Sequence, residues 1–383
     1  MEEIYFDQAA TSWPKPTEVM ASMDSFQRSI GASPGRSGHS RSLDAARVVL
    51  GAREAVARLF GVADPLRIVF TKNATEALNL VAFGLLEPGD HCITSSMEHN
   101  SVMRPLRALE ATGVELSLIP CSARGELDPH EIIPLIKPNT KAVFLTHASN
   151  VTGTIMPIAE AATIARDNGL VLCVDAAQTA GAVPIDVKEM DVDFLVFTGH
   201  KSLMGPQGTG GLYIRPGFED QLRPLMLGGT GSRSEYEVQP DFMPDKFESG
   251  TPNTVGLAGL GAGVAFILDT GLGAIRAYEE RLTGQLLDGL TALDGVRVYG
   301  PDTAHERTAL VSFTLAKMSP SEAALILGDE HGILCRPGLH CAPAAHKSIG
   351  TFPEGTIRFS LGFFNTPDQI DLALQALDRL IRR

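Results

Sequence analysis

The sequence predicts an α/β fold with a mostly parallel sheet, and two observations carry this prediction. Between about residue 65 and residue 215, short runs rich in β-branched and aromatic residues alternate with amphipathic stretches of helical periodicity. Polar residues follow the apolar runs at the points where the strands would end. Alternation of this kind favours parallel strands joined by helices that cover both faces of the sheet. At 383 residues, the chain is long enough for one large domain and a smaller one.

The elements of the sheet region follow in chain order. Each of three predicted strands precedes a predicted helix, at 67–70 with 75–86, 91–93 with 101–111, and 142–145 with 158–167, and two further strands follow at 170–174 and 194–197. Sites in parallel sheets gather at the carboxyl ends of the strands. The polar groups at these ends are 71–75, His99, Asn150, Asp175 and 198–201. We therefore expect them to form one site.

After residues 250–253 (GTPN) the pattern changes to that of a second, α+β domain. Two long helices are predicted at 255–269 and 273–293, and they are followed by a strand at 308–313, a helix from Ser319, a strand at 356–360 and a last helix from Pro367. Ser319 followed by Glu322 matches the capping-box pattern of a helix start. We assign residues 16–254 to the large domain and residues 1–15 and 255–383 to the small domain.

Lys201 and Asp175 together indicate the chemistry of the site. Alone, a lysine is usually a solvated surface charge, and an aspartate at a strand end usually caps a turn or a helix. As a pair, a lysine amine can form a Schiff base with an aldehyde while a carboxylate holds a pyridine nitrogen protonated. The pair therefore suggests the cofactor pyridoxal 5'-phosphate (PLP).

Composition and charge exclude several classes of function. The formal net charge of −13 argues against a nucleic acid or an anionic membrane as the main partner. No uncharged apolar stretch reaches the roughly 18–20 residues of a membrane span, and the acidic start at 1–4 lacks the basic region of a signal peptide. The odd number of scattered cysteines favours a reducing, cytoplasmic location. They are Cys92, Cys121, Cys173, Cys335 and Cys341.

An alternative function of another class is a non-catalytic zinc-binding interaction protein. Its ligands would be Cys335, His340, Cys341 and His346, but their spacing lacks the paired Cys-x-x-Cys of common structural zinc sites. We therefore expect no metal site.

Several motifs occur in one order along nearly the whole chain. They are YFDQAAT at 5–11, VDAAQ at 174–178, TGHK at 198–201, GTPN at 250–253, RPGLHCA at 336–342 and RFSLG at 358–362. In these motifs the chain resembles the class V aminotransferase-fold enzymes, in their cysteine desulfurase and selenocysteine lyase branch. The resemblance implies PLP fold type I with a seven-stranded, mostly parallel sheet in the large domain, and a homodimer. It also implies conversion of L-cysteine to L-alanine, with sulfur held as an enzyme persulfide for delivery to iron–sulfur cluster or thio-cofactor assembly.

The resemblance assigns the cofactor residues. Lys201 would carry the Schiff base, Asp175 would pair with the pyridine nitrogen, Gln178 would contact the phenolic oxygen and His99 would stack on the ring. The phosphate would be bound by Asn73, Ala74, Thr75, Thr198, His200 and, from the neighbouring subunit, Thr251. The start of a helix at 73–75 suits an anion, because its backbone N–H groups are unsatisfied.

The resemblance also assigns the substrate residues. Arg358 would pair with the substrate α-carboxylate, a task suited to a bidentate guanidinium, and Asn150 would assist on the substrate and cofactor side. Cys341 would attack the substrate sulfur as a thiolate, with help from His340. The short segment between Cys341 and Arg358 resembles the short-loop group, which needs a protein partner to remove the persulfide.

One departure from that group leaves alternatives open. Pro337 and Leu339 stand where the group usually has a threonine and a histidine. The preference for L-cysteine or L-selenocysteine and the identity of the sulfur acceptor therefore stay open. A selenocysteine lyase, or another class V transamination or lyase reaction, remains the alternative, because fold does not fix function.

Overall fold

The computed structural model describes residues 3–35 and 38–382 and places helices on both faces of a central sheet. The strands are β1 (Ile4–Tyr5), β2 (Ile68–Thr71), β3 (His91–Ser95), β4 (Glu115–Ile119), β5 (Thr140–Thr146), β6 (Val171–Asp175), β7 (Phe194–Thr198), β8 (Gly210–Ile214), β9 (Val296–Tyr299), β10 (Leu310–Leu315), β11 (Ile333–Leu334), β12 (Arg336–Gly338) and β13 (Thr356–Ser360). The α-helices are α1 (Thr17–Ser25), α2 (Ser40–Leu59), α3 (Ala74–Leu85), α4 (Asn100–Glu110), α5 (Ile158–Asp167), α6 (Thr254–Thr270), α7 (Leu272–Thr291), α8 (Pro320–His331), α9 (Pro343–Ser348) and α10 (Pro367–Ile381).

The central sheet has seven strands in the order β2-β8-β7-β6-β5-β3-β4. Only β8 runs against its neighbours, since it pairs antiparallel with both β2 and β7. The other pairs are parallel, so the carboxyl ends of β5, β6 and β7 meet at one edge of the sheet. This confirms the predicted α/β class and the mostly parallel sheet.

The residues of the central strands are buried on both faces, as a parallel sheet between helices requires. In β6, Leu172 and Val174 lie in the core that contains Leu260 of α6, whereas Cys173 lies in the core that contains Leu106 of α4. The apolar run that marked β6 in the sequence is therefore packed from both sides, which fixes the position of Asp175 at its end.

A second sheet, antiparallel in the order β12-β13-β10-β9, lies in the C-terminal part of the chain. The N-terminal segment lies beside this sheet. β1 pairs with β11 in a separate two-stranded sheet, Asp7 forms a bridge with Ser360 of β13, and the ring of Phe6 packs 5.3 Å from that of Phe359. These contacts link the two ends of the chain. The boundaries of the two domains stay a prediction.

Close packing explains the glycines of α6. An added Cβ at Gly261 would lie 3.2 Å from the Cα of Ala52 in α2, and one at Gly259 would lie 2.8 Å from Met23 of α1. The small residues allow α1 and α2 to approach α6, so their role is helix packing.

The N-terminus of α8 confirms the helix start predicted at Ser319. Ser319 accepts a bond from the N–H of Glu322 at 3.2 Å, which is half of a capping box. A complete capping box is found at the start of α10, where Thr366 and Gln369 make both bonds.

Among the described residues, no single helix is long and apolar enough to cross a membrane. α6 and α7 reach that length and composition only together, across a bend of 82°.

Candidate active site

A cavity of about 160 Å³ lies at the carboxyl edge of the central sheet. Its lining includes ten residues that the sequence predicted for the cofactor or the substrate: Asn73, Ala74, Thr75, His99, Asn150, Asp175, Gln178, Thr198, His200 and Lys201. It also includes four that the sequence analysis missed: Ser101, Thr146, Ala148 and Ala177. Three predicted residues, Thr251, Cys341 and Arg358, lie outside this lining.

Asp175 ends β6 and is buried. Its carboxylate accepts a hydrogen bond from the N–H of Ala177 at 2.9 Å, which fixes it at the start of the loop after the strand. Burial raises the pKa of the Asp175 carboxyl, and the Ala177 bond and the charge of Lys201 oppose this rise. A buried carboxylate needs a partner that carries a proton or a positive charge. A protonated pyridine nitrogen is such a partner.

Lys201 lies three positions after the end of β7, on the loop that leaves the sheet. Burial lowers the pKa of its amine to about 8, although the nearby Asp175 works in the opposite direction. An amine with this pKa is uncharged in an appreciable fraction of molecules near neutral pH, whereas an ordinary lysine is not. Lys201 is therefore suited to act as a nucleophile and as a base.

His99 caps the N-terminus of α4, and this contact sets its tautomer. Its Nδ1 accepts the backbone N–H of Ser101 at 3.0 Å and lies 2.8 Å from the Ser101 hydroxyl. Because a backbone N–H can only donate, Nδ1 is the acceptor and the neutral ring carries its proton on Nε2. Burial lowers the pKa of His99 to about 4, so the ring is neutral at physiological pH.

One end of the cavity carries hydrogen-bonding groups that suit a phosphate. Thr198 Oγ1 and His200 Nδ1 are buried and have no hydrogen-bond partner among the described residues. Buried polar atoms without a partner are rare, so they indicate a ligand. The N-terminus of α3 lies at the same cavity, where Asn73 caps the N–H of Glu76 at 2.9 Å. Its first N–H groups favour an anion.

Gln178 and Asn150 are oriented by other segments. The Gln178 amide donates to the carbonyl of Ala9 at 3.3 Å, and the Asn150 amide donates to the carbonyl of His340 at 2.6 Å. Asn150 Oδ1 is buried without a partner among the described residues. This oxygen is therefore available to a ligand.

Arg358 is buried, at 2% exposure, beside the cavity residue Asn150. Its Nη1 donates to the carbonyl of Asn150 at 3.0 Å, and its Nη2 donates to Oδ1 of Asp7 at 2.9 Å. The Nε atom has no partner among the described residues. Asp7 also pairs with Arg336 at 3.2 Å. Asp7 and Arg336 lie in the motifs at 5–11 and 336–342, but their sequence positions alone did not predict a role.

Cys341 is exposed and opens into a second recess that it shares with Thr75, His99 and Ser101 of the cavity. The backbone of His340 and Cys341 lies in the left-handed region, with φ values of 47° and 58°. Such values are uncommon outside glycine and cluster at functional sites. Cys335, by contrast, is half-buried in the C-terminal core, and burial raises the pKa of its thiol to about 12.

The structure gives no support to the expected help from His340. Its ring is buried, with Nε2 3.1 Å from the Thr356 hydroxyl and the ring centre 5.5 Å from that of His346. Burial lowers the pKa of His340 to about 2, so it supplies no positive charge to a Cys341 thiolate.

In the part of the chain that the structure describes, no three His, Cys, Asp or Glu side chains converge on a point that could hold a metal ion.

Glu98 is a buried acid at the site that the sequence analysis missed. One carboxyl oxygen accepts from the Ser95 hydroxyl at 2.6 Å and from the N–H of Thr146 at 3.0 Å, and the other has no partner among the described residues. Burial raises the pKa of Glu98 to about 8. Glu98 thus links the ends of β3 and β5 beside Asp175, and at neutral pH it is mostly protonated.

Thr251 lies in a separate cavity of about 260 Å³, which it shares with Lys72 and Gly208. Its predicted contact with the phosphate of a neighbouring subunit stays a prediction.

Comparisons with known proteins identify the family of this chain. The model of the family "Aminotransferase class-V" matches residues 4–373. A protein of Methanothermobacter thermautotrophicus described as a probable cysteine desulfurase is 36% identical over 99% of this chain and 95% of its own length. The solved structures that resemble this chain include two cysteine desulfurases. The apo cysteine desulfurase of Thermococcus onnurineus has a TM-score of 0.92 and 37% identity over 99% of this chain and 95% of that one. The cysteine desulfurase CsdA of Escherichia coli has a TM-score of 0.88 and 32% identity over the same shares of the two chains.

Proposed function

The chain belongs to the class V aminotransferase family, among its cysteine desulfurases, and from this premise we propose that it uses PLP to convert L-cysteine to L-alanine. The sulfur is left as a persulfide on Cys341. The observation that carries the proposal is that Asp175 and Lys201 line the same cavity, after the ends of two adjacent strands. An acid that needs a protonated partner and an amine with a lowered pKa are the two groups that PLP requires.

The residues of the cavity fit PLP. Thr198, His200 and the N-terminus of α3 offer donors to its phosphate, and their unpartnered atoms would then be satisfied. Asp175 would hold a proton on the ring nitrogen, and Lys201 would hold the aldehyde carbon. His99 and Gln178 line the same cavity and would contact the ring. PLP, when bound, supplies an electron sink for the charge left when the substrate Cα loses its proton.

The protein's own groups do the remaining chemistry. Arg358 holds the carboxylate of L-cysteine through its Nε–H, which has no partner among the described residues. The buried Oδ1 of Asn150 is an acceptor and would take a hydrogen bond from a donor of the bound ligand. Lys201 Nζ takes the Cα proton, because its pKa of about 8 lets it accept and return protons near neutral pH. His99 has its proton on Nε2, at the face away from Ser101, and can donate it there.

Cys341 receives the sulfur. Its thiolate attacks the substrate sulfur, the bond from that sulfur to Cβ breaks, and the electron pair of that bond stays with the three-carbon fragment. Protonation of this fragment gives alanine. The exposed position of Cys341 supports this role, because the persulfide must afterwards meet an acceptor.

We further propose a homodimer in which Thr251 completes the phosphate site of the other subunit. Thr251 lies outside the cavity of its own chain, beside the partly exposed Leu225 and Met226, and this placement supports the proposal. Light scattering measures the mass in solution. A dimer with the full PLP content, and a lower PLP content for Thr251→Ala, is expected; a monomer of full activity would contradict the dimer.

Product analysis tests the proposed reaction. Purified protein loaded with PLP is given L-cysteine, L-selenocysteine or L-cysteine sulfinate in the presence of dithiothreitol, and alanine, pyruvate and sulfide are measured. Equal amounts of alanine and sulfide from L-cysteine are expected. Pyruvate as the main product would support a lyase that removes the amino group instead, and a much faster reaction of L-selenocysteine would support the selenocysteine lyase alternative.

A further inference from the structure

A groove between α4 and α9 continues from the recess of Cys341. We call it the α4–α9 groove, and its volume is about 540 Å³. Its apolar side chains include Met103, Leu118 and Pro343, and its charged side chains are Arg104, Arg107 and Lys347. It shares Arg104 and Asn100 with the recess that contains Cys341. A molecule seated in the groove would therefore reach the thiol without leaving the surface.

The charge of this surface is opposite to that of the protein. The chain has a formal net charge of −13, yet every charged side chain that lines the groove or the Cys341 recess is a cation. Arg107 pairs with Glu110 at 2.7 Å. Arg104 and Lys347 have no ion pair with any described residue. Lys347 lies over the ring of Phe352 at 5.1 Å, and that ring is 47% exposed.

Two contacts fix the groove to the loop that carries the thiol. The N–H of Asn100, at the start of α4, donates to the carbonyl of Cys341 at 2.8 Å. At the other end of the segment, the Ser348 hydroxyl of α9 bonds to that of Ser96 at 2.8 Å. The two helices that carry the cations are therefore fixed relative to the Cys341 loop, and a partner that pairs with the cations would be placed near Cys341.

We propose that the α4–α9 groove is the docking surface of an acidic protein that accepts the sulfur. Carboxylates of the partner pair with Arg104 and Lys347, and one apolar side chain enters between Met103 and Pro343. The inference rests on the proposed function, since it assumes a persulfide on Cys341. Charge complementarity of this kind raises the rate of association and selects the partner.

The transfer step is balanced without any outside oxidant or reductant. A thiolate of the partner attacks the outer sulfur of the Cys341 persulfide and forms a new sulfur–sulfur bond. The bond between that outer sulfur and Cys341 Sγ breaks, and its electron pair leaves with Cys341 as a thiolate. The partner carries the persulfide away, and Cys341 is ready for another substrate.

Two synthetic peptides test the docking. Each contains one cysteine and one leucine, flanked by glutamates in the first peptide and by lysines in the second. The protein with PLP is given L-cysteine, and persulfide on each peptide is measured by mass spectrometry over time. We expect transfer to the glutamate peptide to be at least about tenfold faster at low salt, with the difference shrinking as salt screens the charges. Equal rates for the two peptides would overturn the inference.

Charge reversal locates the effect on the protein. Arg104→Glu combined with Lys347→Glu should reverse the preference between the peptides. The matched control is Lys188→Glu combined with Lys317→Glu, which changes the net charge equally at exposed positions outside both linings and should keep the preference. An unchanged preference in the first variant would place the docking surface elsewhere.

Two readouts separate the inference from its alternatives. Alanine formation with dithiothreitol should be unchanged in both double variants, and its absence in the unaltered protein would contradict the proposed function instead of the docking. The mass in solution should also be unchanged. If the groove variant alone lost its oligomeric state, the groove would be an interface between copies of this chain. Binding of an RNA oligonucleotide that is lost in the groove variant would likewise overturn the inference.

Discussion

Asp7 Oδ1 lies 2.9 Å from Nη2 of Arg358, so a residue near the start of the chain supplies the counterion of a buried guanidinium 351 positions later. The other carboxyl oxygen of Asp7 pairs with Arg336 at 3.2 Å. One carboxylate thus holds two arginines at the edge of the proposed substrate site. It leaves the Nε of Arg358 without a partner among the described residues.

Removing Asp7 should destabilise the fold. In Asp7→Ala, the Arg358 guanidinium stays buried without its counterion, and breaking a buried pair from one side costs about 3 kcal/mol. Denaturant unfolding measures the loss. Asp302→Ala is the control, because Asp302 pairs with Arg124 at the surface with 85% of its side chain exposed, and such pairs contribute about 0–1 kcal/mol. Equal losses in the two variants would argue against the Asp7–Arg358 pair.

Replacing Arg358 should weaken substrate binding more than cofactor binding. Arg358→Lys keeps a positive charge for Asp7 but loses the planar fork that binds a carboxylate through two bonds. We expect the KM for L-cysteine to rise about tenfold or more, which corresponds to about 1.4 kcal/mol, with the PLP content unchanged. Steady-state kinetics and the cofactor absorbance give both values. An unchanged KM would remove Arg358 from the substrate site.

Lys201 should be the lysine that binds PLP covalently. Borohydride reduction followed by peptide mapping should place the label on Lys201, and Lys201→Ala should lose it. Lys15→Ala is a matched control: burial lowers the pKa of Lys15 to about 8 as well, but its amine donates to the Ser12 hydroxyl at 2.9 Å and to the His200 carbonyl at 3.2 Å. A label on any other lysine would contradict the assignment.

The rate at which the apoprotein captures PLP should rise with pH. The reactive form of Lys201 is the uncharged amine, whose fraction increases as pH passes its pKa of about 8. Absorbance measured after mixing with PLP between pH 6.5 and 9 should show this increase. A rate that is independent of pH over this range would indicate that the amine is already uncharged or is not the limiting group.

Glu98 should make stability fall as pH rises. Its pKa is about 8 in the fold against an ordinary value of 4.5, so between these values the folded protein binds more protons than the unfolded chain, and stability decreases with pH. Glu98→Gln removes this contribution. The melting temperature of the variant relative to the unaltered protein should therefore rise from pH 5 to pH 8. A constant difference between Glu98→Gln and the unaltered protein would refute a protonated Glu98.

Much of the fold could be predicted because its signals are local. The strand that ends at Asp175 is an unbroken apolar run, and parallel strands place their ends at one edge. The cofactor residues at these ends were therefore found together, as the lining of one cavity shows. β8 was not predicted because Gly210 and Gly211 weaken its strand pattern. The structure needs these glycines because a Cβ at Gly210 would lie 2.7 Å from the backbone of Asn73.

Other features could not be predicted because they depend on contacts between distant segments. Nothing in the sequence near Asp7 indicates that it faces Arg358, since β1 must first pair with β11 and lie beside β13. The burial of His340 could not be predicted either. Its position beside Cys341 in the sequence suggested that it assists the thiol, whereas the fold buries its ring against Thr356 and His346.

The most direct test of the proposed function is the position of the persulfide. Protein with PLP is treated with L-cysteine, alkylated and digested, and the persulfide is mapped by mass spectrometry in the unaltered protein, in Cys341→Ser and in Cys335→Ser. We expect the persulfide on Cys341, its loss together with sulfur transfer in Cys341→Ser, and an unchanged result in Cys335→Ser, because Cys341 is exposed whereas burial raises the pKa of Cys335 to about 12. A persulfide on Cys335, or undiminished sulfur transfer by Cys341→Ser, would contradict the assignment of Cys341 as the sulfur carrier.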